Sequence, residues 1–120
     1  MDPRLRGGDV FLEGETMIID HRTYNIVPRM MGEYLKVFEE FAMPVQRRHL
    51  GEPILFTVTE VGQQDQVVHL WAYKDYADLE ARRAARNADP DWKIYMEKSK
   101  GLVLSQETKL IKPAAFSPIK

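Results

Sequence analysis

The sequence predicts an α+β domain of element order β-α-β-β-α-β, and three observations carry that prediction. Pro53–Asp75 reads as two strands, each rich in Val, Thr, Phe, Trp and Tyr or Leu, flanking the turn residues Val61-Gly62-Gln63-Gln64-Asp65-Gln66. Before them, Met31, Tyr34 or Leu35, Phe38, Phe41 or Ala42, and Val45 recur at helical spacing, with Glu33, Lys36, Glu39 and Glu40 outside. After them come helical stretches with Asp caps, and then an alternating segment, Leu102–Ile111.

Taken in order, residues 1–16 hold three of the seven glycines and no sustained apolar period, so they are expected to be a loosely attached extension. Met17–Val27 is the first strand, ended by Pro28, which cannot donate to a ladder. One of its faces presents Ile18, Asp20, Arg22, Tyr24 and Ile26; the other presents Ile19, His21, Thr23, Asn25 and Val27. The helix that follows should kink or break at Pro44 and end near Gly51 behind Arg47, Arg48 and His49. In the hairpin, a two-residue loop at Gln63-Gln64 or a four-residue loop from Gly62 to Asp65 sets Val58 opposite His69, Phe56 opposite Trp71 and Ile54 opposite Tyr73.

Asp75 can cap a helix through Tyr76, Leu79, Glu80, Arg83 and Arg86, with a break at Asn87-Ala88. Asp89-Pro90-Asp91-Trp92 starts the next helical piece, which stops at Gly101. Residues 113–120, with Pro113 and Pro118, form an extended tail, so the domain proper spans 17–112. This order is the ferredoxin-like pattern, a four-stranded antiparallel sheet with its helices on one face. The second face then keeps Phe, Trp, Tyr, Val and Ile side chains in water, and pairing two such sheets as a homodimer removes them from it.

The bulk properties bound the function. The length suits one domain; charged residues are 29% of the chain and nearly cancel to −1, with no basic block to favour nucleic acid. No apolar run approaches the ~18 residues that span a bilayer, so no membrane insertion is expected. The lack of cysteine excludes thiol catalysis and cysteine zinc sites, and the localisation expectation defaults to cytoplasmic. There is no P-loop, dinucleotide fingerprint or Ser-His-Asp signature, and His21 and His49 lack metal-ligand spacing; neither a metal nor a cofactor is expected.

From about Met17 to Pro118 the chain resembles the NIPSNAP family. The resemblance rests on Arg22-Thr23-Tyr24, on Thr59-Glu60-Val61-Gly62 leading into Val68-His69-Leu70-Trp71-Ala72-Tyr73, on the arginines at 82, 83 and 86, on Asp89-Pro90-Asp91-Trp92, and on Phe116-Ser117-Pro118. It implies a dimeric α+β barrel, a fold shared with cofactor-free monooxygenases, small-lactone isomerases and haem-binding barrels; animal relatives look like mitochondrial and membrane-traffic adaptors. It implies no agreed catalytic motif. The family often has glycine after the proline that ends the first strand, where this chain has Arg29.

The residues that could carry chemistry are Arg22, Tyr24, His69 and Trp71, on adjacent strands of one face. Arg22 and Tyr24 would orient an anionic or enolic oxygen, Trp71 would stack on a ring, and His69 would exchange a proton near neutral pH. The alternatives are an Arg22 ion pair with Asp20, Glu60 or Glu107, and a His69 hydrogen-bonded within the sheet or a dimer seam. Arg82, Arg83 and Arg86 read as a solvated helix face, and Trp92 as a packing anchor. The expectation is a homodimeric module with a small-molecule pocket beside the sheet. Its rivals are a cofactor-independent monooxygenase or isomerase on an aromatic or polyketide-like substrate, and a protein-interaction adaptor.

Overall fold

The computed structural model describes residues 17–120; the expected extension at 1–16 lies outside them. Four strands, β1 (Ile18–Ile26), β2 (Leu55–Val58), β3 (Gln66–Tyr73) and β4 (Val103–Ile111), form one antiparallel sheet in the order β2-β3-β1-β4. Helices α1 (Met31–Val37) and α2 (Met43–His49) connect the first two strands, and α3 (Tyr76–Ala88) and α4 (Pro90–Lys98) the last two. The element order and sheet are those expected for the ferredoxin-like pattern.

Pro44 does not break the first helical segment. The chain between α1 and α2 widens into a π-turn, Phe38–Ala42, in which the amide of Met43 donates to the carbonyl of Phe38, and the helix continues past the proline. Asp75 and Asp89 cap α3 and α4, accepting from the amides of Asp78 at 2.8 Å and Asp91 at 3.0 Å. The expected break at Asn87-Ala88 falls two residues late: α3 runs to Ala88, and Asp89 turns the chain by its extended backbone so that Pro90 starts α4. Arg29 sits at φ 71°, the left-handed region where glycine is at ease, so the turn after Pro28 keeps a glycine-type conformation without glycine.

The hairpin register differs from the expectation by two residues. Phe56 faces His69 and Val58 faces Val67, with a longer loop through Glu60–Asp65. The Thr59 amide donates to the Gln66 carbonyl at 3.1 Å, so the strands close at that pair and leave six residues in the loop rather than two or four, with Gly62 at φ 119° and Asp65 at φ 56° inside it. The carbonyl of Asp65 also accepts from Ile26 of β1 at 2.7 Å, which fixes the loop to the neighbouring strand.

The helices cover the face that bears Ile18, Tyr24, Ile26, Val67, Trp71 and Tyr73, packed with Tyr34, Val37, Phe38, Leu79 and Tyr95. Phe56 packs against the same cluster, so the aromatic side chains assigned to an uncovered face lie under the helices instead. The opposite face is aliphatic: Met17, Ile19 and Ile54 form a smaller cluster with Leu70 and Ala72, capped by Ile119 from the tail. Ile54 therefore belongs to this face, because the chain has not yet entered β2 there. No helix among the described residues is long and apolar enough to cross a membrane.

Candidate functional site

Strand alternation brings the four expected residues together on the helix-covered face. Arg22 of β1 pairs directly with His69 of β3, and Asp20 with Trp71, so side chains two apart on each strand meet beneath the helices. Arg22 donates through Nε to both oxygens of buried Asp20 at 3.2 Å and through Nη1 to the Tyr24 hydroxyl at 3.0 Å. Burial opposes its charge, but Tyr24 and Asp20 outweigh that and hold its pKa above the ordinary value. Of the foreseen ion-pair partners, Asp20 is the one engaged.

His69 and Trp71 are each only 1% exposed. The Trp71 indole N–H donates to His69 Nδ1 at 2.6 Å. Because an indole nitrogen can only donate, Nδ1 accepts and the neutral ring carries its proton on Nε2, which is buried with no partner. Phe56 stacks on the imidazole at 4.5 Å between centroids, and Tyr24 meets it edge-on at 4.9 Å. Burial, then the charges of Arg22 and His21, push its pKa down to about 3. At neutral pH this imidazole is uncharged.

The structure adds residues that sequence reasoning placed in solvent. Leu79, Arg83 and Arg86 recur at positions i, i+4 and i+7 of α3, one helical face, and Leu79 points that face at the core. Arg86 is 7% exposed. It donates to the Gln46 side-chain oxygen of α2 at 3.2 Å and to Asn87 Oδ1 at 3.1 and 2.9 Å, and its guanidinium lies 4.2 Å over the Trp92 ring. All these partners are neutral. Among the described residues neither Arg83 nor Arg86 forms an ion pair. Burial, then Arg22 and Arg83, lower the Arg86 pKa to about 10, which leaves it protonated at neutral pH. Arg82, by contrast, pairs with Asp78 at 2.9 Å, as a solvated helix face predicts.

Arg22, Tyr24, Gln46, Arg83, Arg86, Trp92 and Tyr95 wall a cleft of about 520 Å³ between the sheet and α3–α4. Arg22 and Tyr24 reach its surface; His69 stands behind Tyr24, Trp71 behind His69, and neither lines it. A second cleft, about 530 Å³, opens on the β2 side, with Leu35, Phe38, Met43, Pro53 and Phe56 as its apolar wall and Lys36, Glu39 and the Arg47–Glu52 ion pair as its charged one. A separate charged cluster is structural: Asp89 accepts from Arg48 at 2.5 Å and lies 2.8 Å from His49 Nε2, tying the end of α2 to the α4 cap. His49, the Asp91 amide and Arg48 hold the Asp89 pKa down at about 2. Among the described residues no group of three His, Asp or Glu side chains could hold a metal ion.

Comparison with known proteins gives a consistent picture. A family model described as NIPSNAP matches residues 19–118. The Protein NipSnap homolog of Dictyostelium discoideum is 30% identical over 100 residues, which are 82% of this chain and 44% of that protein. This chain thus spans less than half the length of the curated relatives it matches. The crystal structure of a NIPSNAP family protein with unknown function from Agrobacterium tumefaciens is 34% identical, with a TM-score of 0.85 over 92% of this chain and 100% of the other. A putative antibiotic biosynthesis monooxygenase from Nitrosomonas europaea has a TM-score of 0.61 at 8% identity, over 90% of this chain and 99% of that one, a likeness of fold alone.

Proposed function

Because the chain belongs to the NIPSNAP family, we propose that it acts as a homodimeric module that holds an anionic, ring-bearing small molecule in the cleft between its helices and sheet. Arg86 carries this reading. A buried, protonated guanidinium with only neutral oxygens and a ring for partners is costly, and Arg83 beside it makes it more so. A carboxylate or enolate entering the cleft supplies the missing charge and takes the two guanidinium N–H bonds left over. Arg22 and Tyr24 orient the same oxygen from the sheet side, and Trp92 and Tyr95 offer ring surfaces. His69, itself held by Trp71, supports Tyr24 from behind; an imidazole whose pKa is near 3 positions groups rather than accepting protons at pH 7.

A thermal-shift and calorimetric screen of aromatic acids, with quinones and haem alongside, tests the site. Aromatic acids should raise the melting temperature of the wild type. Arg86→Met should weaken their binding at least about tenfold, the scale of one charge-assisted hydrogen bond. Lys93→Met, on the exposed side of α4, should leave it unchanged. A wild type that responds to no small anion, or an Arg86→Met variant that binds as well as the wild type, overturns the reading.

The homodimer rests on the aliphatic face. Val68, Leu70 and Ala72 remain half-buried there, beyond the reach of the helices, and Ile119 caps only one end. Light scattering at micromolar concentration should give about twice the 14.0 kDa chain mass. Leu70→Asp should reduce it to the single-chain mass, because an unpaired carboxylate in a paired sheet face is unfavourable by several kcal/mol. A wild type that scatters as a monomer removes the dimer from this proposal.

A further inference from the structure

Phe38 belongs to both clefts. Its ring meets Tyr95 of the cationic cleft at 5.6 Å and Phe56 of the second cleft at 4.9 Å, so this one side chain, 4% exposed, is the partition between them. It also opens the π-turn, the one place where the 31–49 segment leaves α-helical register, and such turns recur where helices serve a site. Behind the partition stands His69, 6.0 Å from the Phe38 ring and stacked on Phe56, with an Nε2–H that has no acceptor. A buried donor left unpaired is unfavourable, so its persistence calls for a partner.

Resting on the anionic-ligand reading above, we propose that the two clefts are the ends of one ligand channel beneath the helical layer, closed at its middle by Phe38. The ligand class follows from the walls. An acidic group lies at Arg22 and Arg86, and an apolar body passes the displaced Phe38 ring to rest on Leu35, Met43 and Phe56. An oxygen in mid-body accepts from His69 Nε2. Aryl-substituted or acyl-chain keto acids have this form, whereas a compact acid such as benzoate fills the cationic end alone.

Calorimetric titration of the 14.0 kDa protein with benzoate and with 8-phenyl-4-oxo-octanoate separates the possibilities. Both acids should bind the wild type, the long one at least tenfold more tightly. Phe38→Trp should block the passage and bring the long acid down to the affinity that benzoate shows on the same variant. Leu35→Glu, on the half-exposed apolar wall of the second cleft, should remove the same increment and serves if Phe38→Trp fails to fold. Equal affinities in the wild type overturn the channel and leave the cationic site standing, as does an increment that survives in Leu35→Glu. Failure of both acids to bind overturns both.

Discussion

Replacing Trp71 with alanine is expected to destabilise the protein by about 3–5 kcal/mol, the range for deleting a large aromatic from a packed core. Trp71 is among the largest fully buried side chains and packs in the cluster that joins β1 and β3 to the helices. It has a second task, as the donor to His69 Nδ1. Trp71→Phe keeps most of the apolar volume and removes only that bond, so its loss should be smaller, about 1–3 kcal/mol, the cost of an orphaned buried acceptor. Trp71→Asp should not fold, because it places a second carboxylate under the helices opposite Asp20, which already holds Arg22. Urea denaturation followed by circular dichroism measures all three. If Trp71→Asp instead yields a folded monomer, the aromatic face is a subunit seam and the helix-covered face has been misidentified.

That last distinction marks the limit of what the sequence discloses. Switches of apolar period located the elements, and strand alternation correctly grouped Arg22 and Tyr24 with His69 and Trp71. It did not say which face meets the helices, because both are apolar; side-chain bulk was the available clue, since Trp71, Tyr73 and Tyr24 need the deeper layer beneath the helices. The hairpin slipped by two residues for a related reason: a shift of two leaves every side chain on its face, so the hydrophobic pattern cannot detect it. The Thr59–Gln66 and Asp65–Ile26 backbone bonds decide it. Arg83 and Arg86 were hidden because helix arginines are solvated by default; their spacing from Leu79 was the signal that they turn inward. The cleft they form depends on α3 and α4 meeting β1 across the fold, which no local pattern encodes.

Lowering the pH from about 6.5 toward 4 should destabilise the wild type, with His69 contributing up to about 1.4 kcal/mol per pH unit. Its folded-state pKa is held near 3 while an unfolded chain titrates at the ordinary histidine value, 6.5. Above 6.5 the imidazole is neutral in both states and contributes no pH dependence. Between 6.5 and 3 the unfolded chain binds a proton that the folded one refuses, so stability falls as pH falls. Asp89, depressed from 3.8 to about 2, adds its own loss between those two values, below the pH 4 end of the titration. His69→Gln keeps an oxygen to accept from the Trp71 indole and removes the titration; its stability should therefore vary less steeply with pH across this window, whatever constant offset the substitution adds. Denaturation curves at half-unit steps from pH 7 to 4 compare the slopes. Identical slopes in the two proteins would mean that His69 takes up its proton in the folded state as readily as in the unfolded one. The ring would then be more accessible to water than its packing against Phe56, Tyr24 and Phe38 allows, and it would have the pKa of a working general base, so the monooxygenase or isomerase reading would displace the binding module.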